Sequence, residues 1–340
     1  MQAGADCGIP QNTPMPDRPH VLIPYATSAS EGCRHSLQNL ALPHLERLLA
    51  RLSPQPDRAI SGRETSLSPP HERALARALG LPDEDGRIPW AAWHRQQQGQ
   101  ATQGLAWAFI TPCQWQVGTD HVMLRDPQGL DEAASRALLA SMSPWFAQDG
   151  ITLHYDQPTR WLASGALFAT LASASLERVL LRDLRSWLPR DLDLHRGPTD
   201  AHAARRLQRL HSEMQMLLYT HPLNDARAER GLPPINAFWV HGTGTLPTAL
   251  PATSTPPTVL DTLRDPALHE DWSAWAAAWS ALDAGPVAGL LRQTDSGQSV
   301  LLTLCGERNA IRWHSARRGW LRRMQSLFQP PRMIDIHHML

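Results

Sequence analysis

The chain has 340 residues, 42% of them hydrophobic, which is enough to bury one large core or a core with an inserted lobe. Its 32 acidic residues balance its 32 basic ones, so no net field draws it to nucleic acid or to an anionic lipid surface. All the basic residues are Arg and none is Lys, which excludes Schiff-base and P-loop lysine chemistry.

Residues 1–18, MQAGADCGIPQNTPMPDR, are rich in Pro, Gly and small polar residues and read as a disordered tail. They lack the basic start and apolar segment of a secretory signal, and no apolar run in the chain reaches the length of a membrane span. Cys7, Cys33, Cys113 and Cys305 lie too far apart for a zinc knuckle or a disulfide framework, which fits a reducing cytoplasm. The first element is HVLIPYA from His20, a buried strand, followed by a polar loop and a stretch of helical period from Leu37 to Leu52. Ser68-Pro69-Pro70-His71-Glu72 then leads into a helix, with Ser68 placed to cap it and Gly80 to end it. GLAWAFITP and GITLHY read as strands, with LDEAASRALLASMSPWF between them as a helix. A long helix, HAARRLQRLHSEMQMLLY, precedes HPLNDARAERGLPP, and INAFWVHG is again a strand. Beyond the loop TALPATSTPPT come a helix in which Trp272, Trp275 and Trp279 form one apolar face, the strand SVLLTLCG and an Arg-rich C-terminal helix. This alternation predicts an α/β fold with a mainly parallel sheet, helices on both faces, and strands near Val21, Phe238 and Leu301.

The most specific pattern is HPLNDARAERGLPPINAFWVHGTGTLP, from His221 to Pro247. It is similar to a segment of the archaeal-type cofactor-independent phosphoglycerate mutases, which carry H-P-x-N-x-x-R, G-x-x-P-x-N-x-x-W and G-x-G-x-x-P in this order. His221, Pro222, Asn224, Arg227, Gly231, Pro234, Asn236, Trp239, Gly242, Gly244 and Pro247 match. LPHLERLLARL resembles the T-P-N-L-D-R-L-A helix of the alkaline phosphatase superfamily, and SLSPPHERALARALGL its G-S-D-x-x-H stretch. GRIPWAAW, DPALHEDW and WSALDAGPVAGLL follow in the family's order. PHERALARALGL, TPCQWQVGTDHV and MLLYTHPLNDAR also resemble the bacterial RpfE-type regulatory proteins. The resemblance implies an alkaline-phosphatase-like α/β core over 19–84 and 232–328, an inserted α+β lobe over 85–231, and a tail over 329–340.

The superfamily's reaction takes two divalent metals on carboxylates and imidazoles and a Ser or Thr nucleophile, the metals neutralising phosphate charge. Where the resemblance puts the first Asp, this chain has Pro24-Tyr25-Ala26, and where it puts an Asp-His pair after the last strand it has Cys305-Gly306. The nucleophile position, four residues before His71, is Leu67; Ser66 and Ser68 flank it, and the plainer role of Ser68 is the helix cap. Asp265 and His269 keep a D-x-x-x-H spacing and His314 stands near a late family His, but three scattered ligands do not hold two hard cations. The residues therefore imply a mutase-like protein that has lost phosphoryl transfer, needs no cofactor, and binds a small phosphorylated or carboxylate metabolite in a regulatory role. The alternative is an active metal-dependent phosphomutase or phosphatase using Mn or Zn. Candidate ligand contacts are His71, Asn224, Arg227, Asn236, Gly242 and Gly244, since Arg grips oxyanions in a planar fork and Gly admits close backbone approach. The plainer roles are turn stabilisation for Asn224 and Arg227 and a tight strand exit for the glycines. No helix opens after Gly244, so dinucleotide binding is not expected, and neither nucleic acid nor membrane is an expected partner.

Overall fold

The computed structural model describes residues 18–102, 104–188, 201–248, 255–315 and 332–340. Outside them lie the expected tail except for its last residue, part of the TALPATSTPPT loop and the Arg-rich stretch over 316–331. The chain builds one sheet, leaves it for a second, and returns. β1 (His20–Ile23), β2 (Leu52–Pro54) and β3 (Ile60–Ser61) belong to the first sheet. β4 (Trp107–Val117), β5 (Val122–Arg125), β6 (Thr152–Gln157), β7 (Arg160–Ser164) and β8 (Ala237–Gly244) form the second. β9 (Thr258–Val259), β10 (Leu301–Cys305) and β11 (Asn309–Ser315) complete the first. At its centre β1 runs parallel to β10, Val21 opposite Leu302, and parallel to β9 on its other side. β11 turns back antiparallel on β10 and carries β2 and β3 on its outer edge.

Helices follow in the same order: α1 (Glu31–Asn39), α2 (Pro43–Leu49), α3 (Pro70–Ala78), α4 (Trp90–Gln97), α5 (Glu132–Gln148) and α6 (Leu176–Val179). The chain continues with α7 (Ala201–Tyr219), α8 (Pro222–Glu229), α9 (Arg264–Leu268), α10 (Trp272–Leu282), α11 (Ala288–Asp295) and α12 (Met333–Ile336). The sheet's two faces are covered by different helices, as an α/β core requires. Ile23, Leu302 and Leu304 pack against Leu45 and Leu48 of α2 and Trp275 and Trp279 of α10, while Leu22 and Cys305 meet Ala74 and Leu75 of α3 on the other face. The stretch expected as one helix over Leu37–Leu52 is two, because Pro43 cannot donate into a preceding turn and instead opens α2. Asp283 reaches the start of α2 from far along the chain, accepting from the backbone N–H groups of His44 (3.2 Å) and Leu45 (2.7 Å). Among the described residues no helix is long and apolar enough to cross a membrane.

The second sheet has α5 and α7 on one face, around Ile110, Phe146, Trp161, Leu210 and Phe238, and α4 on the other, around Phe109 and Leu162. The strand expected at Phe238 lies here and not beside β1: β8 pairs antiparallel with β4, Phe238 opposite Pro112. Ala237 to Val240 are buried throughout, so the run marks an interior strand without specifying its partner. The expected tail over 329–340 is also corrected for its described part. Met333, Ile336 and Leu340 are buried in the first core, and the Leu340 carbonyl accepts from Arg308 N–H (3.2 Å) and Asn309 N–H (2.6 Å). The apolar positions of Met333 and Ile336 supply the reason, since they bury against β11 and α1 in place of solvent.

Candidate functional site

Parallel strands that end side by side leave a crevice at their carboxyl ends. β1 and β10 end together, and Ala26 N–H donates to the Cys305 carbonyl at 2.8 Å, tying the two exits. Tyr25 turns the β1 exit with φ at 54°, a left-handed conformation that a non-glycine residue holds only when its surroundings enforce it. The enforcement comes from α10. The Trp275 indole N–H donates to the Tyr25 carbonyl (2.9 Å), and that of Trp279 to the Ala26 carbonyl (3.2 Å).

The Tyr25 side chain so fixed donates to Glu177 Oε2 at 2.6 Å, and His71 Nε2 reaches the same oxygen at 2.9 Å, while Arg264 Nε donates to Oε1. Burial opposes ionisation of Glu177, but the hydrogen bond and charge of His71, the Arg264 charge and the Tyr25 hydroxyl outweigh it and hold the carboxyl well below its usual range. Next to it, burial and the Glu177 charge push Glu72 upward, so the pair is split. Ser175, the N-cap of α6, donates to Glu72. Beyond β10, Glu307 accepts from Ala29 N–H (2.9 Å) and Ser28 Oγ (3.2 Å) and lies 3.6 Å from Arg182.

Arg178 lines the same notch as Glu177 and Glu307 and is 4% exposed. One of its nitrogens donates to the Glu307 carbonyl at 3.3 Å, and its guanidinium carbon is 5.9 Å from the Trp187 ring. Its Nε and other terminal nitrogen are buried with no hydrogen-bond partner. Burial and the neighbouring Arg182 charge lower its pKa. Tyr25, Thr27, His71, Glu177, Arg178 and Glu307 line a notch of about 30 Å³ that opens to solvent. A larger cleft of about 500 Å³ lies between the two sheets, lined by Arg125, Asp126 and Gln128 from one side and Arg264, Asp265 and His269 from the other. Arg264 joins the two concavities, since its guanidinium bonds both Glu177 and Asp265.

The residues singled out in the sequence are distributed widely. Of the ligand candidates, His71 lines the notch. Arg227 is 2% exposed and donates to the carbonyls of Pro233 (2.8 Å) and Gln128 (2.7 Å). Asn224 bonds Leu218 and Ile235, and Asn236 bridges the backbone of Trp115, so these polar groups tie turns together. At Gly242 an added Cβ would lie 3.0 Å from the Phe109 ring and 3.1 Å from Trp90, and at Gly244 it would lie 3.1 Å from Pro89. The glycines admit α4 and the segment before it, in place of the ligand approach expected for them. Ser68 does not cap α3, whose N-cap is Pro69. Its hydroxyl is buried and accepts from Gly86 N–H at 2.9 Å, while Ser66 Oγ accepts from Arg63 N–H at 2.8 Å. Asp265 and His269 share the interlobe cleft, whereas His314 stands on β11 with its Nδ1 3.0 Å from the Ser53 carbonyl, away from both.

Sequence reasoning missed Tyr25, Glu177, Arg178, Arg182, Arg264 and Glu307. One signal was present: SLERVLLR places charged residues inside an apolar run, where an unpaired charge is costly and so marks a purpose.

No protein-family model and no curated protein sequence matches the chain. Two solved structures are similar to it over most of their length. One is a cofactor-independent phosphoglycerate mutase from Thermoplasma acidophilum, 13% identical, with a TM-score of 0.35 over 88% of this chain and 90% of that one. The other is the PH0037 protein from Pyrococcus horikoshii, 11% identical, with a TM-score of 0.45 over 91% and 92%. At these identities and TM-scores the likeness carries no argument about the activity or fold of this chain.

Proposed function

We propose that the chain is a non-catalytic, phosphoglycerate-mutase-like protein with a regulatory role, which binds a small phosphorylated or carboxylate metabolite at the strand ends and the cleft beside them. The observation that carries this reading is the charge arrangement around Glu177 and Glu307. Two divalent metals need carboxylate oxygens turned toward them. The Glu177 oxygens are engaged by His71, Tyr25 and Arg264, and the Glu307 carboxylate by Ser28, Ala29 and Arg182. Pro24–Ala26 and Cys305–Gly306, where the sequence resemblance calls for an Asp and an Asp-His pair, offer no carboxylate or imidazole. Glu177 and Glu307 are thus each answered by a guanidinium, Arg264 and Arg182, so neither carboxylate is left to hold a cation. This donor set does not fit a two-metal centre.

The test combines metal content with ligand binding. Protein dialysed against Mn²⁺ or Zn²⁺ and then desalted is expected to carry much less than one equivalent by elemental analysis. In the presence of EDTA a phosphorylated three-carbon acid is expected to raise its Tm. Two metals per chain together with hydrolysis or transfer of a phosphomonoester would replace this reading with a metal-dependent phosphatase or phosphomutase.

A further inference from the structure

Deepening the reading just given, we infer that the free edge of Arg178 is the seat of a single phosphate-type oxyanion, held without any metal by Arg178 with Arg182 at the rim of the notch. A guanidinium taken out of water normally meets a carboxylate or a set of carbonyls, because an uncompensated buried charge costs several kcal/mol. Arg178 meets one carbonyl and leaves Nε and a terminal nitrogen without partners, the two positions with which Arg grips an oxyanion in a fork. The nearby carboxylates do not supply the missing partner: Glu177 is turned to His71, Tyr25 and Arg264, and Glu307 to the backbone and Ser28. Arg182, whose side chain is 41% exposed and lies 3.6 Å from Glu307, stands at the rim as a second clamp. The notch volume of about 30 Å³ admits the leading oxygens of one compact anion. The body of a larger ligand would extend past Arg264 into the interlobe cleft.

The unpartnered edge makes a prediction that an ordinary structural arginine does not share. Arg178→Met removes an uncompensated buried charge while keeping a long apolar stem, so in phosphate-free buffer it is expected to raise Tm by roughly 2 °C or more. The Tm rise that wild type shows with millimolar inorganic phosphate in EDTA is expected to vanish in Arg178→Met. Arg182→Gln, a substitution nearer the surface, is expected to keep the fold by circular dichroism and weaken phosphate binding about tenfold by calorimetry. A phosphomonoester and a carboxylate of the same carbon skeleton, run in parallel, separate a bound phosphate group from a bound carboxylate, and stronger binding of the carboxylate would overturn the assignment. If phosphate raises the Tm of wild type and of Arg178→Met equally without metal, the protein binds anions elsewhere, so the general reading stands and this seat falls. If phosphate binds only when Mn²⁺ is added, both fall. A Tm loss on Arg178→Met with phosphate binding retained would make Arg178 a structural residue and overturn the inference.

Discussion

Two buried arginines have opposite standing, and the difference is one of hydrogen-bond accounting. Arg227 is held by carbonyls from two separate segments, Pro233 and Gln128, and none of its nitrogens is buried without a partner, whereas Arg178 keeps two nitrogens buried and unpartnered. Arg227→Ala is therefore expected to destabilise the protein by roughly 2–4 kcal/mol, since it strands two carbonyls and opens a void. Urea unfolding should show a lower midpoint at unchanged slope. Arg227→Lys should recover little, because a single ammonium cannot hold two carbonyls in the guanidinium's fixed geometry. A variant with wild-type stability that has lost affinity for phosphorylated acids would return Arg227 to the ligand site. The H-P-x-N-x-x-R pattern was legible in the sequence as something specific, but nothing in it told a turn held by Arg from an anion held by Arg. Both uses require the same donor, and only the positions of the two carbonyls decide between them.

At the scale of elements, the Trp face of α10 was readable from its spacing, and Trp275 and Trp279 are fully buried as that spacing predicts. The spacing could not show where the indole N–H groups go, and those donors hold the left-handed turn at Tyr25. Trp279→Phe keeps most of the apolar contact and removes the bond to the Ala26 carbonyl, so it is expected to cost about 1–2 kcal/mol. Because the Tyr25 turn positions the hydroxyl on Glu177, the same variant should also weaken phosphate binding, measured by calorimetry; unchanged affinity would uncouple α10 from the site. The strands β1 and β10 were likewise foreseen near Val21 and Leu301 as members of one sheet, because each is a continuous apolar run between turn residues. β8 reads the same way yet pairs with β4, since an apolar run specifies burial on both faces and leaves the neighbour open. His71, singled out through its motif, lines the notch. Glu177 and Arg264 were not singled out, because they come from distant segments that only the fold brings together at one carboxylate.

For the whole molecule, acid should be the most revealing perturbation, because three imidazoles, one buried and two partly buried, sit in different parts of the fold. On α7, His211 lies among the rings of Trp115, Phe238 and Trp239, and burial lowers its pKa from 6.5 to about 4. On β8, His241 stands beside Thr111 and is lowered to about 3 by burial and then by the Arg160 charge, with Glu177 opposing. On β1, His20 is lowered to about 4 by burial and the Arg312 charge. Each is depressed in the folded state, so the unfolded chain binds more protons once the pH falls below 6.5, and stability must decrease from there until the folded groups titrate. With all three contributing, the slope approaches about 4 kcal/mol per pH unit between pH 6 and 4. Glu177 and Glu307, depressed as carboxylates, keep their contribution above pH 4.5 and extend the loss below it, while Glu72, raised by burial, opposes them. Unfolding free energy measured by urea titration should therefore be level between about pH 7 and 8 and fall steadily toward pH 4. His211→Phe, which retains a ring among Trp115 and Phe238, should reduce the slope by about one proton, or about 1.4 kcal/mol per pH unit. A profile flat down to pH 4.5, or an unaltered slope in that variant, would mean that the imidazoles find proton acceptors on acidification and are not held neutral by the core.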